Sequence, residues 1–297
     1  MTDTALETTG LGRRYGRSWA LRDCTLAVPA GRVAALVGPN GAGKTTLLHL
    51  AVGLLRPSQG QVRVHGRPLG PGGRDLARVA FVAQDKPLFG SFTVAEMLRF
   101  GAATNPRFDR DLAAERVRAY HLPPDRTVRR LSGGQRTLLA LALALGKRAE
   151  LLLLDEPLAD LDPLARHEVL AALMSAVAQT GATVVLSSHV LADLTDTCDY
   201  LILLARGRLQ VSGDFDDLTG AHRVLTGPAD LADRLTGAVY VSRTARQCTA
   251  VIRGMVAEPA VSSRKPTLEE LVLAYMHNPD ATALPPPALV PVDGGAA

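Results

Sequence analysis

Apolar and polar positions along this chain repeat in two different rhythms, and the switches between them mark its elements. Arg32-Val-Ala-Ala-Leu-Val37 is a short apolar run that stops at a Gly-rich turn, and Lys44–Val52 beyond it has helical spacing closed by Gly53. Gln61–His65 alternates polar and apolar residues as a half-exposed strand does, and Val79–Ala83 predicts another strand. From about Pro87 to Gly134 the pattern is helical, most clearly over Val94–Ala102 and Asp111–Tyr120. Leu151–Leu154 and Thr183–Ser188 are unbroken apolar runs of the kind found in buried parallel strands, with helical periodicity over Pro163–Gln179 between them. This alternation predicts an α/β sheet with helices on both faces. Leu201–Leu204 and Leu209–Ser212, joined by Ala205-Arg-Gly-Arg208, predict a hairpin. The pattern is less regular from Ala221, where Val239–Arg243 and Gln247–Arg253 predict short strands. Thr267-Leu-Glu-Glu270 is a capping-box start for a helix running to about His277. The Pro-, Ala- and Gly-rich stretch from Pro279 to Ala297 predicts a disordered tail.

Composition changes this picture only at its margins. With 297 residues, 47% of them hydrophobic and 21% charged, the chain can bury a large core and is not globally disordered. Aromatics make up 4%, which argues against a surface built for stacking single-stranded bases. The net charge of +4 suits a protein near phosphates or anionic lipid without identifying either. Only four of the basic residues are lysines against 29 arginines, a coding bias more than a binding signal. Cys24, Cys198 and Cys248 are far apart and form no CxxC or Cys/His cluster, which points to a reduced cytoplasmic compartment. Met1 to Thr9 is polar and acidic, unlike a signal peptide. The longest apolar runs, around Leu138–Leu145 and Leu151–Leu154, fall far short of the ~20 residues that span a bilayer, so any membrane crossing belongs to another polypeptide.

Three strings carry chemistry. Gly38-Pro-Asn-Gly-Ala-Gly-Lys-Thr45 matches a phosphate-binding loop between a strand and a helix. Its glycines let backbone N–H groups wrap a β-phosphate, and the helix N-terminus faces the same anion. Lys44 would reach the β/γ-phosphates and Thr45 would ligate Mg²⁺. Leu151-Leu-Leu-Leu-Asp-Glu156 ends a buried strand in two carboxylates, at the sheet edge where α/β folds place ligands. There Asp155 would hold the Mg²⁺ shell and Glu156 would orient the attacking water. Leu131-Ser-Gly-Gly-Gln135 opens a second helix with one hydroxyl and exposed amides, again suited to an anion. One nucleotide does not need two such sites in one subunit, so this turn is expected to close on ATP held by another subunit.

On these residues the chain resembles the ABC ATPases, from about Thr8 to Gly220 and with every hallmark in order. Leu131–Gln135 matches that family's signature without a substitution. The resemblance implies that Tyr15 stacks on adenine, that Gln84 senses Mg²⁺ and the γ-phosphate, and that Phe92–Leu98 belongs to the transporter-facing region. It also implies that Ala159-Asp-Leu-Asp162 crosses a dimer interface and that His189 is a switch histidine. Ala159 stands where the family often has Ser, a departure expected to have a modest effect. The implied ATP site comprises Tyr15, Gly38, Pro39, Asn40, Gly41, Ala42, Gly43, Lys44, Thr45, Thr46, Gln84 and Asp162, completed by Ser132, Gly133, Gly134 and Gln135 of a second subunit. Thr45, Gln84 and Asp155 would serve the Mg²⁺, and Glu156, His189 and Lys44 the chemistry.

The expected fold is therefore α/β, a P-loop NTPase with a mixed sheet, an inserted helical subdomain and a small C-terminal α+β extension. The ATPase domain spans 5–220 with the helical insert at about 87–135, followed by the extension at 221–278 and the tail at 279–297. The expected function is ATP hydrolysis that powers a separate transmembrane permease, by a homodimer or heterodimer of ATPase subunits peripheral at the cytoplasmic face of the membrane. Pro266–Met276 is similar to the tail of stand-alone subunits of drug- and antibiotic-export systems, which favours export. The main rival is a soluble ABC ATPase acting on nucleic acid or the ribosome. Such relatives usually have two ATPase domains or a long coiled-coil insertion, and this chain has neither. No basic stretch with interleaved aromatics occurs, so no nucleic-acid partner is expected. A small-molecule kinase would leave Leu131–Gln135 unexplained, and intact Lys44, Asp155 and Glu156 oppose a binding-only regulator. The transported substrate is not encoded here, because the permease would hold its site.

Overall fold

The computed structural model describes residues 3–68, 74–189, 194–255, 261–281 and 288–289. Its centre is a six-stranded sheet built from β3 (Val33–Val37), β6 (Val79–Val82), β7 (Leu151–Leu154), β8 (Thr183–Ser188), β9 (Tyr200–Ala205) and β10 (Arg208–Asp214), in the order β10-β9-β3-β8-β7-β6. The pairings of β9, β3, β8, β7 and β6 are all parallel, and β10 closes one edge as the antiparallel arm of the expected hairpin. The unbroken apolar runs have a direct cause. Along β3, Val33, Ala35 and Val37 enter one core cluster while Ala34 and Leu36 enter another on the opposite face. Leu152 and Leu154 against Leu151 and Leu153 divide β7 in the same way. Both faces are covered, so neither set of alternate positions is free to be polar.

One cover is a second, antiparallel sheet of β1 (Thr4–Tyr15), β2 (Ser18–Pro29), β4 (Gln59–Val64) and β5 (Arg67–Pro68), in the order β2-β1-β4-β5. It shares a core with α1 (Lys44–Ala51). The other cover is helical. α2 (Val94–Thr104) starts at a full Thr93–Glu96 capping box, and α3 (Arg110–Ala119) starts at Asp109, whose carboxylate accepts from Leu112 N at 2.9 Å. Both pack against α4 (Gly133–Gly146), and α5 (Pro163–Thr180) completes this side. α2 and α3 thus fall on the two stretches of clearest helical periodicity, Val94–Ala102 and Asp111–Tyr120.

Beyond α6 (Phe215–Gly220) the extension forms a third sheet of β11 (His222–Pro228), β13 (Tyr240–Arg243), β14 (Gln247–Arg253) and β15 (Ser262–Arg264), in the order β13-β14-β11-β15. One face carries Leu225, Cys248, Ala250 and Ile252, which form a small core with Leu231 of the short helix α7 (Leu231–Arg234). Val224 and Val251 on the other face join the main core together with Leu271, Val272 and Tyr275 of α8 (Leu268–His277). Thr267 and Glu270 form the capping box that the sequence predicts for α8. A buried histidine of β11 fastens α8 to α6. His222 Nδ1 donates to the Leu218 carbonyl at 2.7 Å, which leaves Nε2 to accept from the Tyr275 hydroxyl at 2.9 Å, and burial pushes its pKa down.

Of the tail expected to lack order, 279–281 and 288–289 are described, and Ala281 there is buried, its carbonyl accepting from Arg253 Nη2 at 3.2 Å. β16 (Ala288–Leu289) pairs with β12 (Leu235–Thr236), whose backbone groups offer a partner. Residues 282–287 and 290–297 lie outside the described residues.

Candidate functional site

The loop between β3 and α1 is shaped by contacts that only glycine tolerates. Gly43, the N-cap of α1, has φ 103°, and a Cβ there would stand 2.7 Å from the Ala20 carbonyl oxygen of β2. The first turn of α1 contains no acidic residue, so its amides and dipole are left to attract an anion. Lys44 is 7% exposed, and its Nζ donates to the Gly38 carbonyl at 2.7 Å while lying 3.6 Å from Glu156 Oε1. The loop walls a cavity of about 440 Å³, lined by Ala20, Asn40, Gly41, Ala42, Gly43, Lys44, Thr45, Thr46, Gln84 and Glu156. A neighbouring cavity of about 450 Å³ is lined by Thr45, His49, Ala83, Gln84, Asp85 and Asp155. Thr45 and Gln84 face both.

The acidic pair follows β7 directly and is braced by β8. Ser187 Oγ donates to Asp155 Oδ1 at 2.7 Å and accepts from Glu156 N at 2.8 Å, so one hydroxyl orients both residues. Asp155 is fully buried, and its Oδ2 has no hydrogen-bond partner among the described residues. A buried, unmatched carboxylate oxygen requires a reason. Asp155 lines a cavity together with Thr45, Gln84 and Asp85, whose side chains offer the oxygen donors that Mg²⁺ prefers. The residues present therefore fit the ion, with phosphate and water as its remaining ligands.

Glu156 is held in an unusual state. Its φ of 48° lies in the left-handed region, a conformation that costs a non-glycine residue about 1–3 kcal/mol and persists only where the surroundings impose it. Its carboxylate is 2.9 Å from His189 Nδ1 through Oε2. A carboxylate only accepts, so Nδ1 carries the proton in this contact. His189 is otherwise exposed, whereas Glu156 is buried. The arrangement sets a cavity-lining carboxylate between a buried ammonium and an exposed imidazole.

The remaining residues of the expected site lie elsewhere. Ser132 N-caps α4, accepting from Gln135 N at 3.1 Å while Gln135 Oε1 accepts from Ser132 N at 3.1 Å. Neither these two nor Gly133 and Gly134 line the two cavities. Asp162 caps α5 through Ala165 N at 2.9 Å. Tyr15 ends β1, 49% exposed, with the Arg13 guanidinium 4.8 Å above its ring. Sequence reasoning passed over Ser187, Asp85 and His49. A hydroxyl inside the apolar run of β8 is the one signal that could have flagged Ser187.

Comparison with known proteins places these features in a family. A family model described as ABC transporter matches residues 21–159. The sulfate/thiosulfate import ATP-binding protein CysA of Salmonella typhi is 34% identical over 247 residues, covering 79% of this chain and 68% of that protein. Among solved structures, an ATP binding subunit of an ABC transporter aligns with 29% identity and a TM-score of 0.66 over 73% of this chain and 92% of that one. A bacterial Atm1-family ABC exporter with ATP bound aligns with 25% identity and a TM-score of 0.65, over 73% of this chain and 40% of that one. The phosphate loop, the buried acidic pair and these likenesses lead to one conclusion: the chain belongs to the ABC transporter family, as an ATP-binding cassette that binds ATP with Mg²⁺ and hydrolyses it.

Proposed function

We propose that two such subunits close head to tail, each ATP lying between one phosphate loop and Ser132-Gly133-Gly134 of the second subunit, and that closure drives a separate transmembrane permease. ATPase subunits of this family form dimers and pair with a permease. The observation that carries the reading is the position of the Ser132–Gln135 turn. It is an exposed helix start suited to an anion, yet it lines neither cavity beside its own phosphate loop. In this reading Lys44 neutralises charge on the β/γ-phosphates, and Glu156 orients and polarises the attacking water. His189 positions the Glu156 carboxylate and contacts the γ-phosphate, Gln84 reports the nucleotide's presence, and Tyr15 stacks on adenine. Thr45, Gln84 and Asp155 would hold Mg²⁺, which would supply neutralisation of charge on the phosphate oxygens.

The permease contact is assigned to a groove of about 270 Å³ between the main sheet and the helical insert, lined by Phe81, Leu88, Phe89, Phe100, Phe108 and Lys147 among others. Phe89 is 51% exposed there and stacks on Phe92 and Phe100 at centroid distances of 5.2 and 5.0 Å, a prepared apolar surface beside Gln84. No helix among the described residues is long and apolar enough to cross a membrane, which supports a peripheral position at the cytoplasmic face. For direction we propose export of drugs, antibiotics or similar compounds, on the likeness of Pro266–Met276 to export subunits. A second reading, import, is favoured by the named activity of the Salmonella relative.

The decisive experiment is affinity purification of tagged Glu156→Gln chain from solubilised native membranes, with mass spectrometry of its companions. A stoichiometric polytopic membrane protein is expected. Recovery from the soluble fraction alone, with ribosomal or DNA-binding proteins, would replace the transporter reading by the soluble one. ATP-driven uptake of cargo into inside-out vesicles would establish export, and uptake into right-side-out vesicles import.

A further inference from the structure

Three segments of the chain meet at one carboxylate that the reading above does not use. Asp160 lies in the turn linking Glu156 to α5, and its side chain forms an ion pair with Lys86, two residues beyond Gln84. The partners are 74 positions apart in sequence. Lys86 is 9% exposed along its side chain, and Asp160 is 49% exposed. The backbone of Asp160 meets the third segment, because a Cβ on Gly134 would lie 3.0 Å from the Asp160 carbonyl oxygen and one on Gly133 would lie 3.9 Å from its side chain. Asp160 thus touches the start of α4 with its backbone and the Gln84 loop with its carboxylate.

The turn between Glu156 and Asp160 transmits position because it is short and closed on itself. Ala159 N donates to the Glu156 carbonyl at 3.3 Å and Leu161 N to the Leu158 carbonyl at 3.2 Å, while Leu158 and Leu161 are buried. Lys86 is as constrained at its end. Its φ is 44°, its N–H donates to the Ala83 carbonyl at 3.1 Å, and its own carbonyl accepts from Leu88 N at 2.7 Å. Its side chain also lines the groove shared by Leu88, Phe89 and Phe100.

We infer that Lys86 is a positioning residue for hydrolysis: through Asp160 it fixes where the Glu156 turn stands relative to the Gln84 loop and the Ser132 turn. A molecule seated in the groove presses on the lysine stem, and the ammonium carries that displacement to the segment bearing Glu156. The pair is largely withdrawn from solvent on the lysine side, so its geometry is defined better than that of a freely exposed ion pair. This assignment rests on Glu156 acting on the attacking water.

The test is steady-state ATP hydrolysis by the purified chain, comparing Lys86→Met, Asp160→Asn, Lys86→Arg, Lys86→Asp and Asp160→Lys singly, and the reversed pair that combines the last two. Lys86→Met and Asp160→Asn are each expected to lower kcat by about tenfold with KM for ATP within about twofold of the parent. Lys86→Arg should recover most of kcat, and the reversed pair should exceed either of its single substitutions. Parental kcat in both neutral variants would overturn the assignment, as would a fall in kcat matched by a rise in KM, which marks general damage to the ATP site. If Lys86→Met fails to fold, Asp160→Asn at its half-exposed site decides the matter. Glu156→Gln assayed alongside separates the two readings. Parental turnover there removes Glu156 from its role whatever Lys86 does, while loss of turnover there with parental Lys86 and Asp160 variants removes only the present inference.

Discussion

Glu156 combines a left-handed backbone, a brace from Ser187 and a hydrogen bond from His189, so substitutions there should change chemistry more than shape. Glutamine preserves volume, and its amide oxygen still accepts from His189 Nδ1. It removes the negative charge proposed to polarise the attacking water. Glu156→Gln should therefore reduce phosphate release by about 10²–10⁴-fold, the usual contribution of a general base, with ATP affinity kept. Phosphate-release kinetics beside an equilibrium nucleotide-binding titration would check both halves. Tyr15, proposed to stack on adenine, has its ring outside the phosphate cavity, under the Arg13 guanidinium. Stacking on a base is worth about 1–3 kcal/mol, so Tyr15→Ala should raise KM for ATP by about tenfold and leave kcat nearly unchanged, whereas Tyr15→Phe should match the parent. Equal loss in kcat would mean that the ring does more than bind.

At the scale of elements, Glu150 ties several segments together. It precedes β7 and accepts from Arg78 Nε and Nη2 at 2.9 and 2.5 Å, from Arg107 at the helical insert at 2.9 Å, and lies 3.9 Å from His65 beyond β4. Arg78 first, then Arg107, holds its carboxyl at about 2, below the ordinary 4.5, against the opposing effect of burial. A depressed carboxylate stabilises the fold above its unfolded pKa and loses that contribution as pH falls through the folded one. Thermal unfolding midpoints should thus decline between pH 4.5 and about 2, and Glu150→Gln should flatten that decline. A parallel decline in the variant would assign it to other carboxylates. At α8, Thr267→Ala removes one half of a capping box and should cost about 1 kcal/mol in denaturant unfolding. That box was legible because its signal is local, as were the glycines of the phosphate loop and the apolar runs of β7 and β8. β1 and β2 were not legible, since register shifts interrupt their pairing and break the alternation that marks a strand. The Lys86–Asp160 pair and the Ser187 brace were equally hidden, because proximity across 74 or 31 positions is made by the sheet order and leaves no local pattern.

For the whole molecule, the proposed head-to-tail dimer would make each site depend on two subunits, because the Ser132 turn lines neither cavity beside its own phosphate loop. Lys44→Ala and Ser132→Arg should each abolish hydrolysis alone, yet an equal mixture should regain activity, because a mixed dimer contains one site with a parental loop and a parental turn. A mixture as inactive as its parts would mean that each subunit completes its own site. The C-terminal sheet bears on stability instead, since one of its faces packs into the main core. The three cysteines finally give this molecule a practical character. Cys24, Cys198 and Cys248 are all buried, and burial pushes the first two thiols up to about 11 and about 12 and raises the third. Thiolate is the reactive form, so the folded chain should resist maleimide at neutral pH and take up three equivalents once denatured. A single cysteine introduced at exposed Leu54 or Leu164 would then be the sole target for a fluorophore or spin label, and opening and closing could be timed on an otherwise unaltered protein.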